Sequence, residues 1–373
     1  MWLRRFELAI PSGNSTLDVR SAEFFRAVSP VSHPIADSTH TISEIAFIVC
    51  RLELSSGITG EGCLLSFDYS PEAIQGALRD IGQSLIGLPV YEVGRLSANF
   101  NQAAEYFGRE GPNRWALGIV NIALWDAWAK ALQVPIWRLF GSYRDKIPVY
   151  GSGGWLSYDI PELVEEAKRY VTLGFRGIKI KVGSPEVSHD VERLARVREA
   201  VGPGIALMMD ANQGMSVGEA TILARRAQSL DIQWFEEPIS NVDFDGYRHL
   251  REATGISLAM GEREYNVVAL TELIARNAID LWQPDILRLG GVDAWRESAA
   301  VARAHNLPVL PHFYKEYDVP LLCTVGNAVA AEYFDWMEGL VDHPLTIEDG
   351  FARPSERPGW GFSFADKRLS ALP

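Results

Sequence analysis

The sequence predicts an α/β protein whose larger part is a (β/α) barrel set behind an α+β block, and three observations carry that reading. From about Pro148 onward, short apolar runs alternate with helical patterns. The polar residues that close successive runs, Lys181, Asp210, Glu236, Glu262, Asp285 and His312, are 29, 26, 26, 23 and 27 residues apart, room for one strand and one covering helix each time. The stretch before this rhythm shows an alternating strand and then helical patterns, without the repeat.

In order, residues 1–130 form the α+β block. FIVCRLEL (47–54) alternates toward a strand, GITGEG (57–62) reads as a turn, and helical patterns follow through Leu132. The barrel strands are VYGSGG (149–154), GIKIKV (177–182), IALMMD (205–210), IQWFEE (232–237), ISLAMGE (256–262), LWQPD (281–285), LPVLPH (307–312) and a weaker AVAAEYF (328–334). Between them, DIPELVEEAKRYVTLG has Pro161 near its start, acidic first turns and Gly174 at its end, the marks of a helix. HDVERLARVREAVG and DAWRESAAVARAHN carry apolar residues three and four apart. An open doubly wound sheet would show a GxGxxG first turn, and none is present. The expected divisions are 1–130, a barrel over 131–337, and a turn-rich 338–373 segment packing back on the first block.

Composition bounds the function. With 47% hydrophobic and 22% charged residues over 373 positions, the chain is too apolar for a disordered one. Its net charge of −13 lacks the basic stripe that nucleic acid requires. An acidic protein that takes an anionic substrate must gather cations locally, as a metal ion or a few lysines. Cys50, Cys63 and Cys323 form no disulfide or zinc pattern and suit a reducing cytoplasm. The opening MWLRRFELAIPSGN is too broken for a signal segment, and Trp115–Leu132 contains Asn121, Asp126 and Lys130, so it reads as a buried helix and not a membrane span. A homo-oligomer without nucleic-acid or membrane partners is expected.

The strand ends carry the chemistry. Side chains two apart share a strand face, so Lys179 and Lys181 point together into the barrel mouth while Ile178, Ile180 and Val182 face the helices. Asp210, Glu236 and Glu262 end three consecutive strands, and neighbouring strands lie ~4.8 Å apart. Unpaired carboxylates so close repel one another; a hard divalent cation such as Mg²⁺ resolves the repulsion. Each could alternatively cap a helix, and parity alone does not choose Glu236 over Glu237. Asp285 and His312 end the next two strands, where the carboxylate fixes the imidazole tautomer and raises its basicity. His33, His40, His189, His249, His305 and His343 belong to no such series and read as structural.

The ordered motifs KIK (179–181), MDAN (209–212), FEEP (235–238), MGE (260–262), QPD (283–285), PH (311–312) and Glu332 resemble the mandelate-racemase-like branch of the enolase superfamily over essentially the whole chain. YGSGGW (150–155) and QPDILRLGGV (283–292) make it most like acid-sugar dehydratases of the talarate/galactarate type. The resemblance implies a modified (β/α)8 barrel of (β/α)7β type with an α+β N-terminal capping domain. It implies Asp210, Glu236 and Glu262 as ligands of one Mg²⁺ per subunit, which decides between Glu236 and Glu237. Lys181 would be the acid/base on one substrate face and the Asp285–His312 dyad the acid/base on the other. Lys179 would hold one substrate carboxylate oxygen, and a protonated Glu332 would donate to the other. The muconate-lactonising branch normally carries a lysine in place of the His312 dyad and is less similar.

The implied function is a Mg²⁺-dependent hydro-lyase of carbohydrate catabolism. It would take the α-proton of a sugar acid or aldarate to reach a metal-stabilised enediolate, then expel the β-hydroxyl to give a 2-keto-3-deoxy acid. Positive charge at the carboxylate oxygens stabilises the developing dianion, and Lys181, beside Lys179 and Mg²⁺, is expected to have a depressed pKa. The same two-face pair would serve a racemase or epimerase of a 2-hydroxy acid. A glycosidase acid pair would be neutralised by Lys179 and Lys181, and a non-catalytic binder has no need of two acid/base groups. The polar 29–44 segment is expected to close over the mouth and read the distal substrate, with Trp155, Asn212, Arg263 and Tyr265 as further substrate contacts.

Overall fold

The computed structural model describes residues 16–372, so the opening segment of the sequence lies outside the described residues. The first block is a four-stranded antiparallel sheet in which Val19–Ser29 lies between Ile45–Leu54 and the C-terminal strand Leu369–Ala371, with Thr59–Leu65 outermost. Thr59–Leu65 overlaps the segment expected to be a turn. Its glycines serve packing: a Cβ on Gly60 would meet the Ala123 carbonyl at 2.2 Å, and one on Gly62 the Ile119 carbonyl at 2.2 Å. They let the Pro112–Ala131 helix lie directly on the strand. That helix is apolar on nearly every side and buried from Ala116 to Ala127, as a helix enclosed between two layers must be. Among the described residues no helix is long and apolar enough to cross a membrane.

The second block is a parallel barrel. Its strands are Ile147–Gly153, Gly177–Lys181, Ala206–Asp210, Ile232–Glu236, Leu258–Met260, Leu281–Trp282 and Ala331–Tyr333, and the last pairs with the first. The expected strand at 307–312 is reduced to Val309, which bridges Trp282 and Ala328. Pro308 and Pro311 cannot donate to a ladder, so a full strand cannot form there. The covering helices Ile160–Thr172, Val187–Val201, Val217–Arg226, Phe244–Thr254, Val267–Ala275 and Val292–Ala304 alternate with the strands. Their starts follow local sequence rules: Asp159, Ser216, Asp243 and Asn266 each accept from a first-turn N–H.

The tail returns to both blocks. Phe351–Arg353 pairs antiparallel with Ile147–Gly153, and Leu369–Ala371 pairs with Val19–Ser29. Within the 29–44 segment, Ile35–Ala36 and Thr41–Ile42 make a small ribbon. It is tied to the barrel where Leu156 N–H donates to Ala36 O and where the Ser38 hydroxyl donates to Ala211 O.

Candidate active site

A cavity of about 490 Å³ opens at the carboxyl ends of the strands, between the barrel and the first block, the end at which barrel enzymes place their chemistry. The strand register sets Lys181 beside Asp210 and Asp210 beside Glu236. The alternation predicted for the KIK strand holds. Lys181 Nζ lies 2.5 Å from Asp210, while Lys179 Nζ reaches Glu236, Glu332 at 2.6 Å and Asp210 at 3.6 Å. The second Glu236 oxygen accepts from Gln283 Nε2 at 2.6 Å and Trp234 Nε1 at 3.3 Å. Glu237 turns elsewhere, accepting from Arg263 Nε at 2.9 Å and Gln213 Nε2 at 3.1 Å.

Across the cavity His312 Nδ1 lies 2.8 Å from Asp285, and its Nε2 lies 3.5 Å from Glu262. Asp285 also caps the Ile286–Leu289 turn, accepting from Leu287 and Arg288 N–H at 2.8 and 2.9 Å. The helix-cap and dyad roles therefore coexist in one carboxylate, with one oxygen for each. Burial works to lower the His312 pKa, but the Glu262 charge and the Asp285 hydrogen bond prevail and bring it up to about 9.

Two groups stand in strong fields of the chain's own charges. Burial works to depress the Lys181 pKa, yet the charge of Asp210 outweighs it and holds the ammonium above its ordinary value. Burial likewise works to raise Glu332, but Lys179, with His312 and Lys181 behind it, pulls this carboxyl down to about 2. Glu332 also accepts from Phe313 N–H at 2.8 Å. Burial pushes Glu236 up. Burial also works against ionisation of Glu262, but His312, Arg263 and Arg288 hold it well below the usual range.

Lys181, Glu262, Asp285 and His312 line the cavity, as do Trp155, Asn212, Arg263 and Tyr265. Lys179, Asp210, Glu236 and Glu332 are buried beneath it. Among the described residues, no three His, Cys, Asp or Glu side chains stand grouped as a ready cage for an ion, because lysines occupy oxygens of Asp210 and Glu236. The donor set nevertheless fits a hard cation. Asp210, Glu236 and Glu262 supply carboxylate oxygens from adjacent strand ends, and the buried Asn212 Oδ1 beside Asp210 has no hydrogen-bond partner. Asn212, Gln213, Glu237 and Phe313 adopt positive φ (41°, 68°, 35° and 68°), so backbone strain gathers at the strand ends.

Several lining residues had no signal in the sequence. His40, set aside as structural, reaches the cavity because the ribbon lies over it. Arg288 donates to Glu262 O at 2.6 Å, and Phe334 and Trp336 build an aromatic wall with Trp155. Gln283 of the QPD motif, which donates to Glu236, was not singled out either.

The pattern of the enolase C-terminal domain-like family matches residues 162–368, and that of the mandelate racemase/muconate lactonizing enzyme N-terminal domain matches residues 21–141. The chain belongs to the enolase superfamily. Enzymes of this superfamily use Mg²⁺. Among its relatives, the 3,6-anhydro-α-L-galactonate cycloisomerase of Streptomyces coelicolor is 30% identical over 92% of this chain and 96% of its own. The L-talarate/galactarate dehydratase of Salmonella typhimurium is 29% identical over 91% of this chain and 87% of its own. The crystal structure of that dehydratase with Mg and L-lyxarohydroxamate superimposes with a TM-score of 0.89, covering 94% of this chain and 91% of its own. A racemase from Streptomyces coelicolor with bound magnesium superimposes equally well, with a TM-score of 0.89 at 29% identity over 94% of this chain and 98% of its own.

Proposed function

We propose that the protein is a Mg²⁺-dependent hydro-lyase that dehydrates a sugar acid to a 2-keto-3-deoxy acid. The observation that carries this reading is the pair of acid/base groups on opposite sides of one cavity: Lys181 against Asp210 on one wall, and His312 held by Asp285 on the other. Asp210, Glu236 and Glu262 are the residues that would hold the ion. When bound, Mg²⁺ supplies positive charge for the substrate carboxylate as its α-proton leaves.

The chain's own groups do the rest. Lys179, locked between Glu236 and Glu332, adds a buried positive charge to the same end of the site. Lys181 takes or returns a proton at Nζ, and Asp210, were it to hold the ion, would offer that nitrogen less negative charge. His312 does so at Nε2, because Nδ1 is committed to Asp285. The group on one face takes the α-proton while the group on the other gives a proton of its own to the departing β-hydroxyl, which leaves as water; the enol that remains ketonises. Trp155, Asn212, Arg263 and Tyr265 would contact the substrate.

The same two faces serve a racemase or epimerase by reprotonation at carbon, and the racemase structure among the neighbours favours keeping that second reading. One experiment separates them: incubation with sugar acids and Mg²⁺ in D₂O, followed by NMR. A 2-keto-3-deoxy product supports dehydration. Deuterium at the α-carbon with inverted configuration and no keto acid would favour epimerisation.

A further inference from the structure

The acid/base groups act on one end of the substrate, and the other end must face the first block. That side of the cavity is walled by Ile42, Leu64, Leu65, Phe67 and Tyr69, with Asp37 and His40 contributed by the ribbon. The lysines and arginines on the cavity wall, among the described residues, are Lys181, Arg263 and Arg288. Each is already turned to a carboxylate of the barrel end: Lys181 to Asp210 at 2.5 Å, Arg263 to Glu237 at 2.9 Å, and Arg288 to Glu262 at 3.7 Å.

The ribbon brings the opposite charge. Asp37 is held in place by Thr39 N–H and His40 N–H, both at 2.7 Å, and its carboxylate lies 3.3 Å from His40 Nδ1. His40 is turned to this carboxylate and offers a ligand no unpaired cation. A second substrate carboxylate arriving here would lose hydration without gaining a cation and would meet a fixed anion. A hydroxyl group could instead donate to Asp37, with its carbon chain against the Trp155, Phe334 and Trp336 rings.

Resting on the reading of the site as an acid-sugar dehydratase, we infer that the substrate is a sugar monoacid, an aldonate with an uncharged far end, and that Asp37 selects against diacids. The resemblance to talarate/galactarate dehydratases alone would suggest the reverse.

The test compares hexonates with the hexarates of the same hydroxyl configuration at C2 to C5, with keto-acid formation as the readout. The expected result is a kcat/KM about tenfold or more higher for the best hexonate than for its matching diacid, the scale of one missing charge-assisted contact. The ratio should shrink as salt is raised. Asp37→Asn keeps the oxygen that accepts from Thr39 and His40 and removes the charge, so it should narrow the ratio several-fold. Keto acid formed with equal or greater kcat/KM from the hexarate would overturn the inference and leave the dehydratase reading standing. An unmoved ratio in Asp37→Asn would remove Asp37 as the determinant. Neither keto acid nor α-proton exchange from either class would overturn the dehydratase reading and the inference together.

Discussion

Two of the places where the protein buries charge differ in how completely the chain satisfies them. Where the tail meets the first block, Asp126 accepts from Trp360 N–H and Glu61 N–H, both at 2.9 Å, and from Lys130 at 2.6 Å. Glu61 beside it accepts from Arg51 at 2.6 Å and from Phe364 N–H at 2.7 Å. Every carboxylate oxygen of this pair has a fixed donor. At the barrel mouth, Asp210, Glu236, Glu237, Glu262, Asp285 and Glu332 crowd around Lys179, Lys181, Arg263, Arg288 and His312, with Asn212 Oδ1 and Gln283 Oε1 left unpartnered. The first cluster is satisfied by its own chain and holds the tail on the first block. The second is short of positive charge and of donors, the condition of a site that completes itself with a ligand.

The largest expected effect falls on the mouth. Lys181→Met and His312→Asn should each lower dehydration by about 10²–10⁴-fold. His312→Asn should still exchange an α-proton that faces Lys181. Lys181→Met should exchange the proton of the other α-epimer and no other. NMR in D₂O checks this, and loss of exchange on both epimers in His312→Asn would break the two-face mechanism. Next, Glu236→Gln should abolish measurable Mg²⁺ binding, while Glu237→Gln, which turns to Arg263 and Gln213, should keep it. A calorimetric titration in which the two swapped behaviour would reverse the ligand assignment.

On the satisfied side the cost is stability. Asp126→Ala strands the Glu61 and Trp360 N–H groups, each worth ~1–3 kcal/mol when buried without a partner, so unfolding should become about 3 kcal/mol easier in urea. If that variant lost kcat and kept its urea midpoint, the contrast between the two clusters would collapse. The smallest effect is a pH slope. His312 has a folded pKa raised to about 9 against an ordinary ~6.5. Its contribution to stability is therefore complete below the unfolded value and is lost as pH rises through about 9. With chelator present, urea midpoints of the wild type should fall across that window more steeply than those of His312→Asn.

How much of this was legible in the sequence depended on periodicity. The polar strand ends recur at near-constant spacing, so Lys181, Asp210, Glu236, Glu262, Asp285 and His312 could be placed at one mouth without coordinates. Thr59–Leu65 escaped because Gly60 and Gly62 look like turn residues, whereas they exist to admit a helix that passes far away in sequence. The 307–312 run has a strand's apolar pattern but two prolines strip it of donors, leaving Val309 alone to bridge. His40 sits in a segment with no periodicity, and its place over the mouth comes from bonds to Leu156 and Ala211 near the barrel strand ends. The Lys179–Glu332 ion pair escaped because the sequence shows Lys179 as a neighbour of Lys181 and not as a partner of the eighth strand.

The pairing of Leu369–Ala371 with Val19–Ser29 has a consequence for the order in which the protein is made. A ribosome delivers the first block's helices and three of its strands early, but the strand that covers the flank of Val19–Ser29 emerges after the whole barrel. Until then, among the described residues, no strand pairs with that flank, and an open sheet edge is the kind of surface on which nascent chains pair wrongly. The first block is thus finished only after the barrel has been made, and the two reach their final form together.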